Sequence, residues 1–137
     1  MILILVITFL SFNFGLYMSK INNINGFWVC SEDFNKEAEL DNFIIYIGKY
    51  DIKTNGFPSY ILMVDDENHI LINTPINIKI TLHGFNLNKF NIHFVDLNSE
   101  FLSNNLVCTY NGSKLELYKD DTIYGCMYKN NELSNLE

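Results

Sequence analysis

At 137 residues, with 48% apolar and 15% aromatic side chains, the chain has the composition of one folded domain with a modest core and not that of a disordered segment. Its formal charge is −7, and all nine basic residues are lysine. An acidic, arginine-free chain is a poor neutraliser of phosphate, which excludes nucleic acid as an expected partner and argues against docking on an anionic membrane.

The first eighteen residues, Met1–Met18, contain no charged side chain. As a helix, Ile2–Met18 would run about 25 Å, the lower edge of what crosses a bilayer core. Asn13 and Gly15 weaken the run. Only the α-amino group precedes it, and Gly15, Ser19 and Asn22–Asn25 offer no A-x-A cleavage pattern. Three readings follow, in order of preference: an uncleaved single-pass anchor in a lipid bilayer, a cleaved secretory signal, and a buried core helix. The segment is taken as residues 1–21. Lys20 on its C-terminal flank favours a cytoplasmic domain.

Residues 22–25 read as a polar linker, 26–130 as a single β-domain and 131–137 as a polar tail. Gly26-Phe-Trp-Val-Cys30 is a compact strand signal, and Trp28, the one tryptophan, is expected to anchor the core. Ser31–Leu40 is the helical candidate of the domain, capped by Ser31 with Glu32 and Asp33 at its positive end. Thereafter the period is two. Strands are expected over Asn42–Tyr50, Ser59–Val64 and His69–Asn73, with Asn55-Gly56 as a turn and a break at Pro75. Ile76, Ile78, Ile80 and Leu82 then alternate with Asn77, Lys79, Thr81 and His83, the clearest strand in the chain. After a turn at Gly84–Lys89, Phe90, Ile92 and Phe94 alternate in the same way. Leu97–Asn104 is a less regular connection. Leu106–Tyr110, the Asn111-Gly112 turn and Lys114–Lys119 form a hairpin, and Thr122–Lys129 closes the domain after Asp120-Asp121. The fold class is mainly β: eight or nine short antiparallel strands in a meander, closed as a small barrel or folded as a sandwich. One short helix lies near the start of the domain, and a hydrophobic helix precedes it. One face of each strand is expected to be buried and the other wet.

Gly26-x-Trp28 ahead of a short helix and a strand meander resembles the start of lipocalin-like barrels, where the tryptophan plugs one barrel end. Asp121-Thr-Ile-Tyr-Gly125 is similar to the last strands of small calycin-type domains. Lipocalins usually set an arginine of the last strand against that tryptophan, and here only Lys129 could take its place. The resemblance implies a binding module for a small apolar ligand. The whole layout, together with 20 Asn and 17 Ile against one Ala and no Gln, resembles small N-anchored virion-membrane proteins of large AT-rich DNA viruses. That resemblance implies a structural or interaction role at a viral membrane.

No residue constellation points to catalysis, so the chain reads as non-enzymatic, with no cofactor and no metal expected. His83 and His93 are the most suggestive pair, since a hairpin would set them opposite each other on its polar face; two histidines fall short of a zinc site. Asp65, Asp66 and Glu67, like Asp120 and Asp121, read as solvated turns and not as calcium ligands. Cys30, Cys108 and Cys126 lack metal or redox spacing and read as small apolar residues. Asn111-Gly-Ser113 is a glycosylation sequon usable only in a lumenal domain, and it also suits a tight turn. Tyr46, Tyr50, Tyr60, Tyr118, Tyr124 and Tyr128 are candidates for a protein-partner surface.

Overall fold

The computed structural model describes residues 1–31, 43–67, 69–84, 88–95 and 106–135. Helix α1 (Ile2–Asn22) is followed by β1 (Gly26–Cys30), β2 (Phe43–Ile47), β3 (Phe57–Val64), β4 (Ile70–Leu82), β5 (Lys89–Val95), β6 (Leu106–Tyr110), β7 (Lys114–Lys119) and β8 (Thr122–Lys129), then by a 3-10 helix at Glu132–Asn135. Each strand pairs antiparallel with the next, and β8 returns to β1 through Trp28 and Lys129, so the sheet is a closed eight-stranded barrel and not a sandwich. Closure gives every strand of the ring a hydrogen-bonded neighbour on each side. The helix expected at Ser31–Leu40 and the connection at Leu97–Asn104 fall largely outside the described residues.

The period-two sequences behave as strands with one face inward. Ile76 and Ile78 of β4, and Phe90, Ile92 and Phe94 of β5, are buried, while Lys79 between them is exposed. The strands expected on either side of Pro75 are one strand of thirteen residues. Pro75 pairs with Tyr60 of β3, and β5 joins β4 only from Asn77 onward. The missing N–H of proline is therefore tolerated beside a stretch where the second ladder has not begun. Asn55, Asp120 and Asp121 take positive φ, as tight turns in hairpins require.

Eight strands enclose an interior that side chains can fill or that can hold one small ligand. Trp28, Ile45, Ile78, Ile92, Leu106 and Leu117 each show 0% exposure. A void that admitted water would appear as accessible surface on its walls, so around these residues the interior is packed. The outer face is not uniformly wet. Phe27, Ile44 and Leu62 form a second buried cluster outside the barrel, with Val29, Tyr46, Val64 and Leu133 against it. The cause is visible in β1 and β2, whose sequences GFWVC and FIIYI are apolar on both faces. Leu133 belongs to the segment read as a polar tail, which folds back onto this surface.

Candidate functional site

Helix α1 and the barrel end that receives it are the most distinctive feature. Ile2, Leu3, Ile4 and Leu5 are consecutive, so they point to all sides of the helix, and they are exposed at 80, 71, 68 and 63%. A helix apolar all round belongs in a core or in lipid. This one is not in the core, because its large apolar side chains stay exposed as far as Leu16. Its 21 residues span about 31 Å, and the exposed run that ends at Leu16 about 24 Å of that, against a bilayer core of about 30 Å. Among the described residues it is the helix long and apolar enough to cross a membrane. Two polar side chains in the run are satisfied within the helix: Thr8 Oγ1 donates to Ile4 O at 2.8 Å, and Asn13 Nδ2 to Phe9 O at 2.8 Å. That arrangement reduces the cost of a polar side chain in lipid.

The other end of α1 is built into the barrel. Tyr17 and Ile21 are buried, Ile24 is fully buried, and all three join the interior cluster that holds Trp28 and Cys108. The terminal carbonyls of a helix lack partners within it. Here the backbone N–H groups of Asn23 and Ile24 cap Lys20 O and Ile21 O, and three strands bond the two carbonyls that follow the helix. Lys129 Nζ of β8 donates to Asn23 O at 2.7 Å, Tyr110 Oη of β6 to the same oxygen at 3.2 Å, and Trp28 Nε1 of β1 to Ile24 O at 2.7 Å. The ammonium also complements the negative end of the helix dipole. Lys20 adds a hydrogen bond to Asn88, ahead of β5.

Trp28 stands at the centre of this junction. Lys129 Nζ lies 5.9 Å from its ring centroid and the Tyr110 ring meets it edge-on at 6.2 Å. Gly26 has φ +129°, and a Cβ there would come within 3.2 Å of Lys129 Cε. The Gly-x-Trp spacing thus has a local cause: glycine admits both the left-handed backbone and the lysine over the tryptophan. Burial pushes the Tyr110 hydroxyl pKa up, and it pushes the Cys30 and Cys108 thiols well up, which keeps those thiols in their unreactive form.

The expected sites fare differently. The β4–β5 register pairs Lys79 with His93 and Thr81 with Asn91, so His83 and His93 are not opposite each other. His83 Nδ1 is instead 3.0 Å from Asn91 Oδ1. Among the described residues no three His, Cys, Asp or Glu side chains gather to hold a metal. Asp65 Oδ1 accepts from the backbone N–H of Glu67 and of His69, and these turn bonds, that of His69 foremost, hold its carboxyl pKa below the usual value. Asn111 Oδ1 accepts from the backbone of Lys114 at 3.0 Å, the turn role its sequon position suggested. Cys30, Cys108 and Cys126 are free, with the first two buried. Tyr46 packs on Phe27 and Tyr60 in the outer cluster. Nothing local in the sequence distinguishes Ile24 and Tyr110, and Lys129 stands out there only through the resemblance to the lipocalin arginine. No family model, curated protein or solved structure matches the chain.

Proposed function

We propose that the protein is a non-enzymatic, single-pass membrane protein whose α1 is an uncleaved anchor and whose barrel serves as a structural or interaction domain at the membrane surface. One observation carries this reading: the same helix is exposed and apolar over its first four turns and buried in the barrel core over its last. A cleaved signal has no reason to contribute Tyr17 and Ile21 to the core of the domain it leaves. The resemblance in layout and residue usage to small anchored virion-membrane proteins supports placing it at a viral membrane.

The lipocalin-like alternative draws support from Gly26, Trp28 and Lys129 at one barrel end. A binding module needs a cavity, and the packed interior weighs against an apolar ligand within the barrel. The membrane reading is tested by alkaline carbonate extraction of the full chain and of a variant lacking residues 1–16. The full chain should stay in the membrane pellet with Met1–Met18 present by intact mass, and the shortened chain should be soluble and folded. Expression of the full-length gene that yields a soluble product in the supernatant with its N-terminus beyond Met18 would overturn it.

A further inference from the structure

The lysines are not spread evenly over the barrel. Following the strands from the α1 junction places Lys20, Lys49, Lys53, Lys89, Lys114 and Lys129 at the end where α1 enters. Lys20 and Lys129 bind Asn88 and the end of α1. Lys49 and Lys53 lie in the β2–β3 turn, just past Ile47, which pairs with Gly26 at the start of β1. Lys89 opens β5, and Lys114 opens β7. Acids at this end are fewer: Asp51 in the same turn, Glu116, which is paired with Lys114 at 2.7 Å, and Glu132 beyond β8. The opposite turns carry Asp65, Asp66 and Glu67 between β3 and β4, and Asp120 and Asp121 between β7 and β8, with Lys119 beside them. A net charge of −7 therefore conceals a barrel with a basic end and an acidic end among its described residues.

The anchor fixes which end meets the bilayer. The exposed apolar run, Met1–Leu16, is about 24 Å long against a hydrocarbon core of about 30 Å, a mismatch that draws the flanking residues inward. No free linker intervenes, since Asn23 and Ile24 are hydrogen-bonded into the barrel. Lys49, Lys53 and Lys89 are exposed there. We infer that the lysine-bearing end of the barrel docks on anionic lipid headgroups around the point where α1 enters the membrane. The inference rests on the anchor reading and goes beyond it by naming the surface the barrel sits on and its charge.

The test uses the full chain in nanodiscs of phosphatidylcholine alone and of phosphatidylcholine with about one-third phosphatidylserine, read by amide hydrogen exchange. Backbone amides of the Lys49–Gly56 turn and of Lys89 should exchange more slowly in the anionic discs, and the difference should vanish at 1 M salt, where the Debye length is about 3 Å. Amides of the Asp65–His69 turn should be indifferent to lipid charge. The triple variant Lys49→Gln, Lys53→Gln, Lys89→Gln changes exposed side chains and should still insert. A lysine near an anionic surface is worth about a fivefold change in equilibrium, so the three together should lower the docked fraction's ratio by on the order of 100-fold and abolish the difference. Equal exchange in the two lipids with the helix inserted overturns the docking inference and leaves the anchor standing. Failure of the full chain to enter either disc overturns the anchor, and the docking inference falls with it.

Discussion

Trp28 is held by three unlike interactions at once: a hydrogen bond from its Nε1 to Ile24 O, the Lys129 ammonium over its face and the Tyr110 ring at its edge. Trp28→Phe removes the hydrogen bond and leaves a space, and should cost about 2–4 kcal/mol in urea unfolding of the chain lacking residues 1–16. Lys129→Met removes the donor to Asn23 and the cation, at about 1–2 kcal/mol, and Lys129→Arg should recover most of it. If Arg were no better than Met, the ammonium would not be the stabilising element. Gly48 is constrained differently. A Cβ there would lie 2.2 Å from Pro58 O, a backbone atom that cannot swing away. Gly48→Ala should therefore destabilise by about 2 kcal/mol, by the same measurement. At this scale the sequence was partly legible. Gly26 and Trp28 announced themselves by spacing, and Asn55-Gly56 and Asn111-Gly112 by turn chemistry. Ile24 did not, because a lone isoleucine among asparagines looks like a linker until the barrel end closes over it.

Among the elements, the strands were legible wherever one face was apolar and the other polar, as in β4 and β5. They were less so in β1–β3, where apolar residues on both faces hide the second cluster around Phe27, Ile44 and Leu62. Pro75 was misleading because a proline marks a strand break only where both neighbouring ladders need its N–H. Helix α1 was legible as a length of apolar sequence but not as a part of the core, since the division between its two roles falls inside one continuous helix. Two truncations separate those roles. Loss of residues 1–16 should leave thermal unfolding of the barrel nearly unchanged. Loss of residues 1–24 also removes Tyr17, Ile21 and Ile24, each worth about 1.5–3 kcal/mol when buried. That sum approaches the whole stability of a small domain, and the shorter chain should unfold or aggregate at 25 °C. Equal stability of the two would mean the helix end is not structural.

Strand β7 carries a pH-sensitive group. Glu116 accepts from Lys114 Nζ and from Tyr118 Oη, both at 2.7 Å, and these bonds, that of Lys114 first, hold its carboxyl below the ordinary pKa of 4.5. A depressed carboxyl stabilises the fold above its unfolded pKa and loses that effect as pH falls through the folded value. Lys114, raised by the same bond, contributes below its unfolded pKa of 10.5 and loses the contribution as pH rises above it. Stability should thus hold level near neutrality and decline below about pH 4.5, and Glu116→Gln should flatten part of the acid limb in urea titrations. An unchanged acid limb would show the bond to be energetically silent.

For the whole molecule, the proposed anchor makes orientation the property to test. A net charge carries no information about where the charges sit, so an acidic composition and a lysine-bearing barrel end coexist in one chain. Lysine at the flank of a membrane span favours the cytoplasmic side for the segment that follows, and Lys20 stands in the last turn of α1. The barrel should therefore face the cytoplasm when the chain is made in a eukaryotic cell. The Asn111-Gly-Ser113 sequon should stay unmodified, so that endoglycosidase treatment leaves the mobility unchanged. Cys126, partly exposed on β8, should react with an impermeant maleimide only after the membrane is opened, while Cys30 and Cys108 stay unlabelled until unfolding. A glycan on Asn111, or labelling of Cys126 in sealed membranes from the outer side, would reverse the topology. It would also remove the anionic cytoplasmic leaflet as the surface beneath the lysine-bearing end, because that end would then face the lipids of the other leaflet.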